Sequence, residues 1–506
     1  MPSEDRTPIL IGAGQLTQRD AEPGEALDPL AMMVEAARRA VADADADARV
    51  LAAVDTVAVV NILSWHYGNA PGLLAERLGA HPTQAWYTTI GGNTPQWLVN
   101  EAAAQIAAGR VRLALLAGAE AICTLQRARR SHTELRWTSG GSGTPTTVGS
   151  YRHGTSDHEV AHGLQVPTAI YPLFENALRA HYGLSLTAHR ERLGTLCSRL
   201  STVAAENPYA WFRTPRSAEA ITTVTPANRM VGFPYPKYMN AIMDVDQSAA
   251  LLMTSVAAAR QLGIPPSCWV YLWGGADAED LWFVSERVNY HSSPAIGAAG
   301  RHALAMAGVG IEAIDLFDLY SCFPSALQIG RDMLGIAADD PRSLTVTGGL
   351  PYHGGPGNNY VMHAIATMLP KLRAAPGTKG LVTGLGWYVT KHSVGIYSAA
   401  PPVTSAAETW AHRRPTAYQA ELHAMPHPDL ELAPQGPARI ETYTVLHDRD
   451  GTPVAGLVIG RLDDEHRFLA NTPADSGLLR DLMAQEAVGC RGVVSSRDGA
   501  NRFEPR

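Results

Sequence analysis

The chain has 506 residues, 46% of them hydrophobic and 18% charged, with a net charge of −7. At ~150 residues per domain that length suggests about three domains, and the apolar content is enough for large buried cores, which excludes global disorder. A nucleic-acid surface is excluded too, because phosphate binding needs clustered Lys and Arg and the densest basic run is only Arg127-Ala128-Arg129-Arg130.

The N-terminal stretch MPSEDRTPILIGAGQ is charged and lacks an apolar h-region, so no signal peptide is expected. No apolar run is long enough for a membrane span. Cys123, Cys197, Cys268, Cys322 and Cys490 form no CxxC pair, which fits reduced thiols in a cytoplasmic protein. TPILIGAGQ reads as a strand ending in glycines, and residues 28–41 as a helix with Asp28 as cap, Pro29 in the first turn and apolar positions at Leu30, Met33, Ala37 and Val41. AAVDTVAVVNI follows as a buried strand.

The same order returns in the second half. WVYLWGGAD is a strand ending in Gly274-Gly275, SSPAIGAAGRHALAMAGV is a helix, and AIDLFDLYSCF matches the earlier buried strand. ERLGA is echoed by DMLGI and TTIGGN by TVTGGL. Gly109–Gly118 and Gly377–Gly386 have equal spacing, with Leu113 and Leu381 in register. Together these matches indicate a duplicated α/β unit. Residues 121–245 interrupt the repeat as a large excursion. After residue 400 a Pro/Ala-rich linker (401–434) leads to a small β module (435–506) with hairpin turns at Asp450-Gly451 and Asp463-Asp464, expected to fold independently and dock on the body.

Three local motifs suggest other chemistry. His158-Glu159-Val160-Ala161-His162 has the zincin pattern, with Glu175 as a conceivable third ligand, but the flanking GTS and GLQVP leave little room for a helix. In GGLPYHGGPGNNY, Gly349 and Gly354 have Walker-A spacing, yet Gly355-Pro356 replaces the Lys-Ser/Thr pair. IGAGQLT lacks the third glycine of a dinucleotide fingerprint. Neither a metal nor a tightly bound cofactor is expected.

Two similar halves, an excursion between them and a Gly-rich loop in the second half resemble the thiolase superfamily over about residues 7–400. The resemblance is greatest to the sterol-carrier-protein thiolases and to actinobacterial type-1 thiolase-like proteins, often labelled acetyl-CoA acetyltransferases, which carry an additional C-terminal domain. It implies an α/β fold of duplicated thiolase halves (layered α/β/α/β/α), an inserted loop domain that covers coenzyme A, and a small C-terminal β-barrel of OB-like form. The half boundaries it implies are 1–120 and 246–400.

The family's active-site motifs map onto altered residues here. The nucleophilic cysteine falls on Gly92, beside Asn93. The His-Asp-Cys-Phe motif falls on Tyr320-Ser321-Cys322-Phe323, the Gly-His-Pro motif on Gly354-Gly355-Pro356, and the Cys-x-Gly motif on Gly384-Leu385-Gly386. His353 stands two positions before the expected histidine. Losing one oxyanion donor costs ~10²–10³ in rate, which a displaced His353 could recover, whereas losing a covalent nucleophile costs ~10⁶. Thiolysis through an acyl-cysteine is therefore not expected, and Cys322 matches a family cysteine that is not normally acylated.

For coenzyme A or an acyl-CoA, the resemblance points to the excursion and its edge. Arg229 and Lys237 would meet phosphate, Phe233 or Tyr235 would stack on adenine, and Ser248 would join them. The implied function is that of an acyl-CoA-binding, acyltransferase-like protein acting on a C–C bond without an acyl-cysteine. One alternative is retro-aldol cleavage of a β-hydroxyacyl-CoA, with Tyr320 and Tyr352 or His353 as base and donors. Another is a catalytically inactive scaffold whose β module recruits a partner. Monomer and homodimer both remain open.

Overall fold

A computed structural model describes residues 3–402, 406–411 and 416–506. The first half supplies β1 (Pro8–Thr17), β2 (Thr56–Val59), β3 (Gln84–Thr88), β4 (Leu113–Ala121) and β5 (Thr146–Val148). The excursion adds the short β6 (Met230–Gly232) and β7 (Tyr235–Pro236). The second half supplies β8 (Asp246–Ser255), β9 (Val270–Glu279), β10 (Leu316–Asp318), β11 (Gly380–Gly386) and β12 (Lys391–Ser398). These strands, apart from β6 and β7, form one sheet in the order β10-β11-β12-β9-β1-β8-β4-β2-β3-β5.

The duplication is visible in that order. The run β1-β8-β4-β2 is repeated by β9-β12-β11-β10, with the same parallel and antiparallel senses, and β1 meets β9 at Ile9–Tyr271 and Leu10–Val270. Each half packs its first helix on its own strands: Pro29–Asp43, capped by Asp28 as expected, on β1, β8 and β4, and Pro294–Ala307 on β9 and β12. The glycines ending the first strands are packing devices. A Cβ at Gly12 or Gly14 would overlap the carbonyl oxygen of Ala40 or Ala36, and one at Gly274 would overlap that of Ala303. IGAG therefore lets a helix approach a strand.

Helices Thr94–Ala107 and Tyr360–Ala374 lie between the two sets of strands and touch both, which gives the expected α/β/α/β/α layering. Most of their residues are buried, including the polar Gln96, Asn100 and His363.

The C-terminal strands β13 (Gly436–His447), β14 (Pro453–Leu462), β15 (Arg467–Asn471), β16 (Arg491–Arg497) and β17 (Ala500–Pro505) close into a barrel in the order β13-β14-β15-β17-β16-β13. Helix Ser476–Ala484 lies between the third and fourth strands, an OB-like arrangement. Contrary to expectation, this module does not merely dock. Strand β13 also pairs with β6 of the excursion at Leu446–Gly232, and Thr442 donates to Leu173 O. Leu457, Ile459 and Leu469 belong to the main core, while Phe233 belongs to the barrel's own core. Part of the expected linker is also built into the body. In helix Ala406–Ala411, Trp410 is fully buried and donates to Leu272 O (3.0 Å), and in helix Thr416–His423, Tyr418 donates to Asp277 O (2.5 Å). Residues 403–405 and 412–415 of that linker lie outside the described residues.

No helix among the described residues is long and apolar enough to cross a membrane. The His158–His162 stretch forms a short helix, Asp157–Ala161, whose Glu159 is buried in a capping box with Ser156 and accepts from Ser285 N (2.6 Å). Glu175 is taken up by His189 (2.6 Å), Tyr235 (2.5 Å) and Gln328 (2.9 Å). Among the described residues, no cluster of His, Cys, Asp and Glu is arranged to hold a metal.

Removing residues 401–506 would expose Leu173, Phe233 and the Trp410 seat at once, and burying a single large side chain is worth ~1.5–3 kcal/mol. The truncated chain is expected to aggregate on expression, scored by soluble yield and circular dichroism. A soluble, cooperatively unfolding core would show that the barrel is dispensable.

Candidate active site

The Gly-rich loop after β10 is organised by a buried carboxylate. Asp318 Oδ2 accepts from Thr345 Oγ1 (2.9 Å), Val346 N (3.0 Å), Thr347 N (3.1 Å) and Thr347 Oγ1 (2.9 Å), and Oδ1 accepts from Tyr360 Oη (2.9 Å). Burial raises the Asp318 pKa against the opposing pull of these bonds. Gly348, Gly349 and Gly354 have φ of 109°, 76° and 107°, the region that allows the chain to reverse beneath the carboxylate without a Cβ penalty. Beyond them the loop reaches into the first half. Asn358 Oδ1 accepts from Gly91 N (2.8 Å), and Asn359 Nδ2 donates to Gly118 O (2.8 Å).

These contacts enclose a cavity of about 470 Å³, with a lining that is mostly apolar. Leu63, Ile90, Val166 and Met243 border it and are exposed, whereas Tyr320 and Cys322 are buried in its wall. Burial, with Cys322 alongside, raises the Tyr320 phenol well above its ordinary pKa, and burial pushes the Cys322 thiol up to about 12. Both groups are therefore neutral at pH 7. Trp387 also lines the cavity, and its indole Nε1 is buried without a partner. Trp387 and Val389 have φ of 57° and 58°, a backbone region that costs ~1–3 kcal/mol for such residues and persists only where surroundings enforce it.

The space of a side chain at position 92 is already taken. A Cβ there would overlap Tyr320 Oη and stand 2.6 Å from Leu385 O. At position 384 a Cβ would lie 2.9 Å from the Asn93 Cα. Both positions to which the family resemblance assigns a reactive cysteine are thus filled by neighbouring atoms. Behind them, Lys391 donates to Ile90 O (2.6 Å), and burial lowers its pKa to about 8.

The additional C-terminal domain of type 1 thiolase-like proteins matches residues 418–499. Among solved structures, a monomeric SCP2-thiolase-like protein type 1 from Mycobacterium smegmatis is 39% identical, with 99% of each chain covered and a TM-score of 0.85. The chain belongs to the SCP2-thiolase-like proteins of type 1. An Ltp2–ChsH2(DUF35) aldolase chain is matched at 18% identity with a TM-score of 0.59, over 78% of this chain and 98% of that one, which shows a shared fold. No curated protein matches in sequence.

In this type 1 protein the expected site residues separate into two groups. Gly92, Tyr320, Cys322 and Gly355 line the cavity, with Asn93 and Gly384 packed just behind it. His353 and Tyr352 do not line it. His353 is fully buried against Tyr360 and His363, with ring centroids 5.8 and 5.2 Å away, and Tyr360 also packs on Tyr320 (5.7 Å). Burial lowers the His353 pKa to about 4, so it is neutral at pH 7, and its ring is turned away from the cavity where a base or donor was expected. Tyr352 is buried beside Cys197.

The expected coenzyme A contacts are corrected as well. Phe233 packs against Tyr443 in the barrel core (6.0 Å), and Tyr235 is fully buried with its hydroxyl on Glu175 and Ser325 (2.9 Å). Ser248 is buried and donates to Gly118 O (2.9 Å). None of the three can stack on or bond a ligand from solvent. Lys237 is exposed, and half-buried Arg229 donates to Asp448 O (3.3 Å).

Asp318, Asn358, Lys391 and Trp387 were not singled out by sequence. An aspartate ending an apolar strand and the Asn358-Asn359 pair in a glycine loop were the available signals. Trp387 carried none, because its backbone conformation is imposed by distant contacts.

Gly92→Ala is expected to cost ~1–3 kcal/mol by overpacking. Tyr320→Ala in the same chain should relieve part of that cost, so chemical denaturation of the two single variants and the double variant should be clearly non-additive. Strict additivity would mean that Tyr320 does not fill the position. A second expectation concerns acid. His353 and His392 are held at about 4 and His363 well below its ordinary value, all by burial, so the unfolded chain binds more protons once pH falls below ~6.5. Stability should therefore fall from pH 6.5 towards 4. His353→Gln should flatten the slope by ~1.4 kcal/mol per pH unit, and an unchanged slope would show that His353 titrates normally in the fold.

Proposed function

We propose that the protein binds an acyl thioester, carried by coenzyme A, as a non-covalent complex in the cavity, and forms no acyl-enzyme. The observation that carries this is the Tyr320 hydroxyl filling the Gly92 side-chain space within an apolar-lined cavity. A neutral phenol there donates a hydrogen bond to a thioester oxygen, and the neighbouring Gly92 amide serves as a second donor of the oxyanion-hole kind. The acyl chain lies against the apolar lining and leaves past Leu63, Ile90, Val166 and Met243. Arg229 and Lys237 remain candidates for the distant phosphates.

A second reading is retro-aldol cleavage of a β-hydroxyacyl thioester, suggested by the aldolase named in the structural comparison and by Tyr320 at the reacting position. It requires a base at the hydroxyl. The cavity lining contains no carboxylate, imidazole or amine, and the Tyr320 phenol is held neutral, so binding without turnover is the better-supported function.

Dodecanoyl-CoA at a hundredfold excess over Kd should stabilise the protein by ~2.7 kcal/mol, read as a rise in Tm. Intact-mass analysis should detect no acyl adduct after incubation, and iodoacetamide should leave binding intact because no thiolate lines the site. No binding by calorimetry would overturn the proposal. An adduct on Cys322 would restore acyl transfer, and cleavage of a β-hydroxyacyl-CoA that falls ~10²–10⁴-fold in Tyr320→Phe would establish the aldolase.

A further inference from the structure

The strained wall of the cavity is held from outside the thiolase body. Arg287, fully buried after β9, donates to Val389 O (2.5 Å), Tyr388 O (2.9 Å) and Thr390 Oγ1 (2.8 Å). One guanidinium thus holds Tyr388–Thr390, the stretch that contains left-handed Val389 and follows left-handed Trp387. Tyr171 donates to Trp387 O (2.8 Å) and Tyr388 to Gln165 O (2.9 Å), which leaves Arg287 as the clamp on the far side.

The backbone that carries Arg287 is in turn seized by the barrel. Arg467, at the start of β15, is fully buried and donates through Nη1 to the carbonyls of Ser285 (3.1 Å) and Arg287. Its Nε and Nη2 are fixed by Glu441 on β13 at 2.9 and 2.8 Å, and its guanidinium lies over the Tyr290 ring at 4.7 Å. A guanidinium satisfied on every edge is a rigid strut, since moving it strands buried carbonyls and a carboxylate.

We propose that the additional C-terminal domain positions the segment Trp387–Val389, of which Trp387 and Tyr388 line the cavity, through Arg467 acting on Arg287. Both arginines are positioning residues, because neither lines the cavity. The domain acts on the site while contributing no side chain of its own to the lining: it keeps a sparsely populated backbone conformation occupied so that the Trp387 indole faces the ligand. The positioning role gains functional meaning from the thioester reading above, although the contacts themselves do not depend on it.

The test uses the full chain and two substitutions at the barrel–body interface. Arg467→Met removes the strut while Glu441 stays paired with Arg461 (2.7 Å). Glu486→Gln weakens a different interface pair, with Arg179 (2.7 Å), that does not touch residues 285–287. Hydrogen–deuterium exchange over residues 386–392 should rise at least about tenfold in R467M and stay at wild-type level in E486Q. The dodecanoyl-CoA Kd should rise by ~10-fold in R467M only. Wild-type exchange in R467M, or an equal rise in both variants, overturns the proposal. If R467M does not fold, R467K decides: raised exchange confined to 285–287 and 386–392 supports it, and wild-type exchange there overturns it. Should the wild type fail to bind dodecanoyl-CoA, the thioester function falls while the exchange comparison still decides the positioning role.

Discussion

Two largely buried helices govern this protein. Thr94–Ala107 and Tyr360–Ala374 are enclosed by strands of both halves, so the loops that begin them are forced against each other inside the molecule. Gly91 meets Asn358, Gly118 meets Asn359, and Gly384 meets Asn93, each at van der Waals or hydrogen-bond distance. Polar backbone brought into such a place must be paired, because each unpaired buried group costs ~1–3 kcal/mol. The Asn358-Asn359 pair and the Asp318 carboxylate meet that demand. The candidate site is the small space left over where these loops converge.

That origin explains why the absent cysteines matter so much. In a tightly packed junction a missing side chain does not leave a vacancy, because neighbours close on it. Tyr320 has taken the room at position 92, and the Asn93 backbone has taken it at position 384. What remains is an apolar cavity with neutral donors, suited to holding and polarising a carbonyl and poorly suited to attacking one. The desolvation that raises the Tyr320 and Cys322 pKa values also strengthens any hydrogen bond made there.

The additional domain belongs to the same economy of burial. Its strand β13 pairs with β6 of the excursion, and its apolar residues are divided between two cores. Arg467 crosses the junction with its whole guanidinium paired to backbone and to Glu441, while Arg179 reaches Glu486 and Asn176 donates to backbone. Burying charge this way is costly unless each donor is satisfied, and satisfied donors confer rigidity and a single docking geometry. The domain therefore constrains the thiolase body as well as decorating it.

Local chemistry in the sequence was sufficient for the duplicated α/β order, the Asp28 cap and the hairpin turns of the barrel, since periodicity and capping act over a few residues at a time. The family resemblance, and no local signal, pointed to Gly92, Tyr320 and Cys322, which line the cavity. It misplaced His353, because one step along a glycine loop with positive φ turns a side chain from the cavity into the core. It misread Phe233 and Tyr235, because an aromatic pair near basic residues looks the same in sequence whether it faces a ligand or a second core. The strained Trp387–Val389 segment and its hold through Arg287 and Arg467 were decided only in three dimensions. Those residues are far apart along the chain, and only folding sets a guanidinium from the barrel against the carbonyl of another arginine in the body.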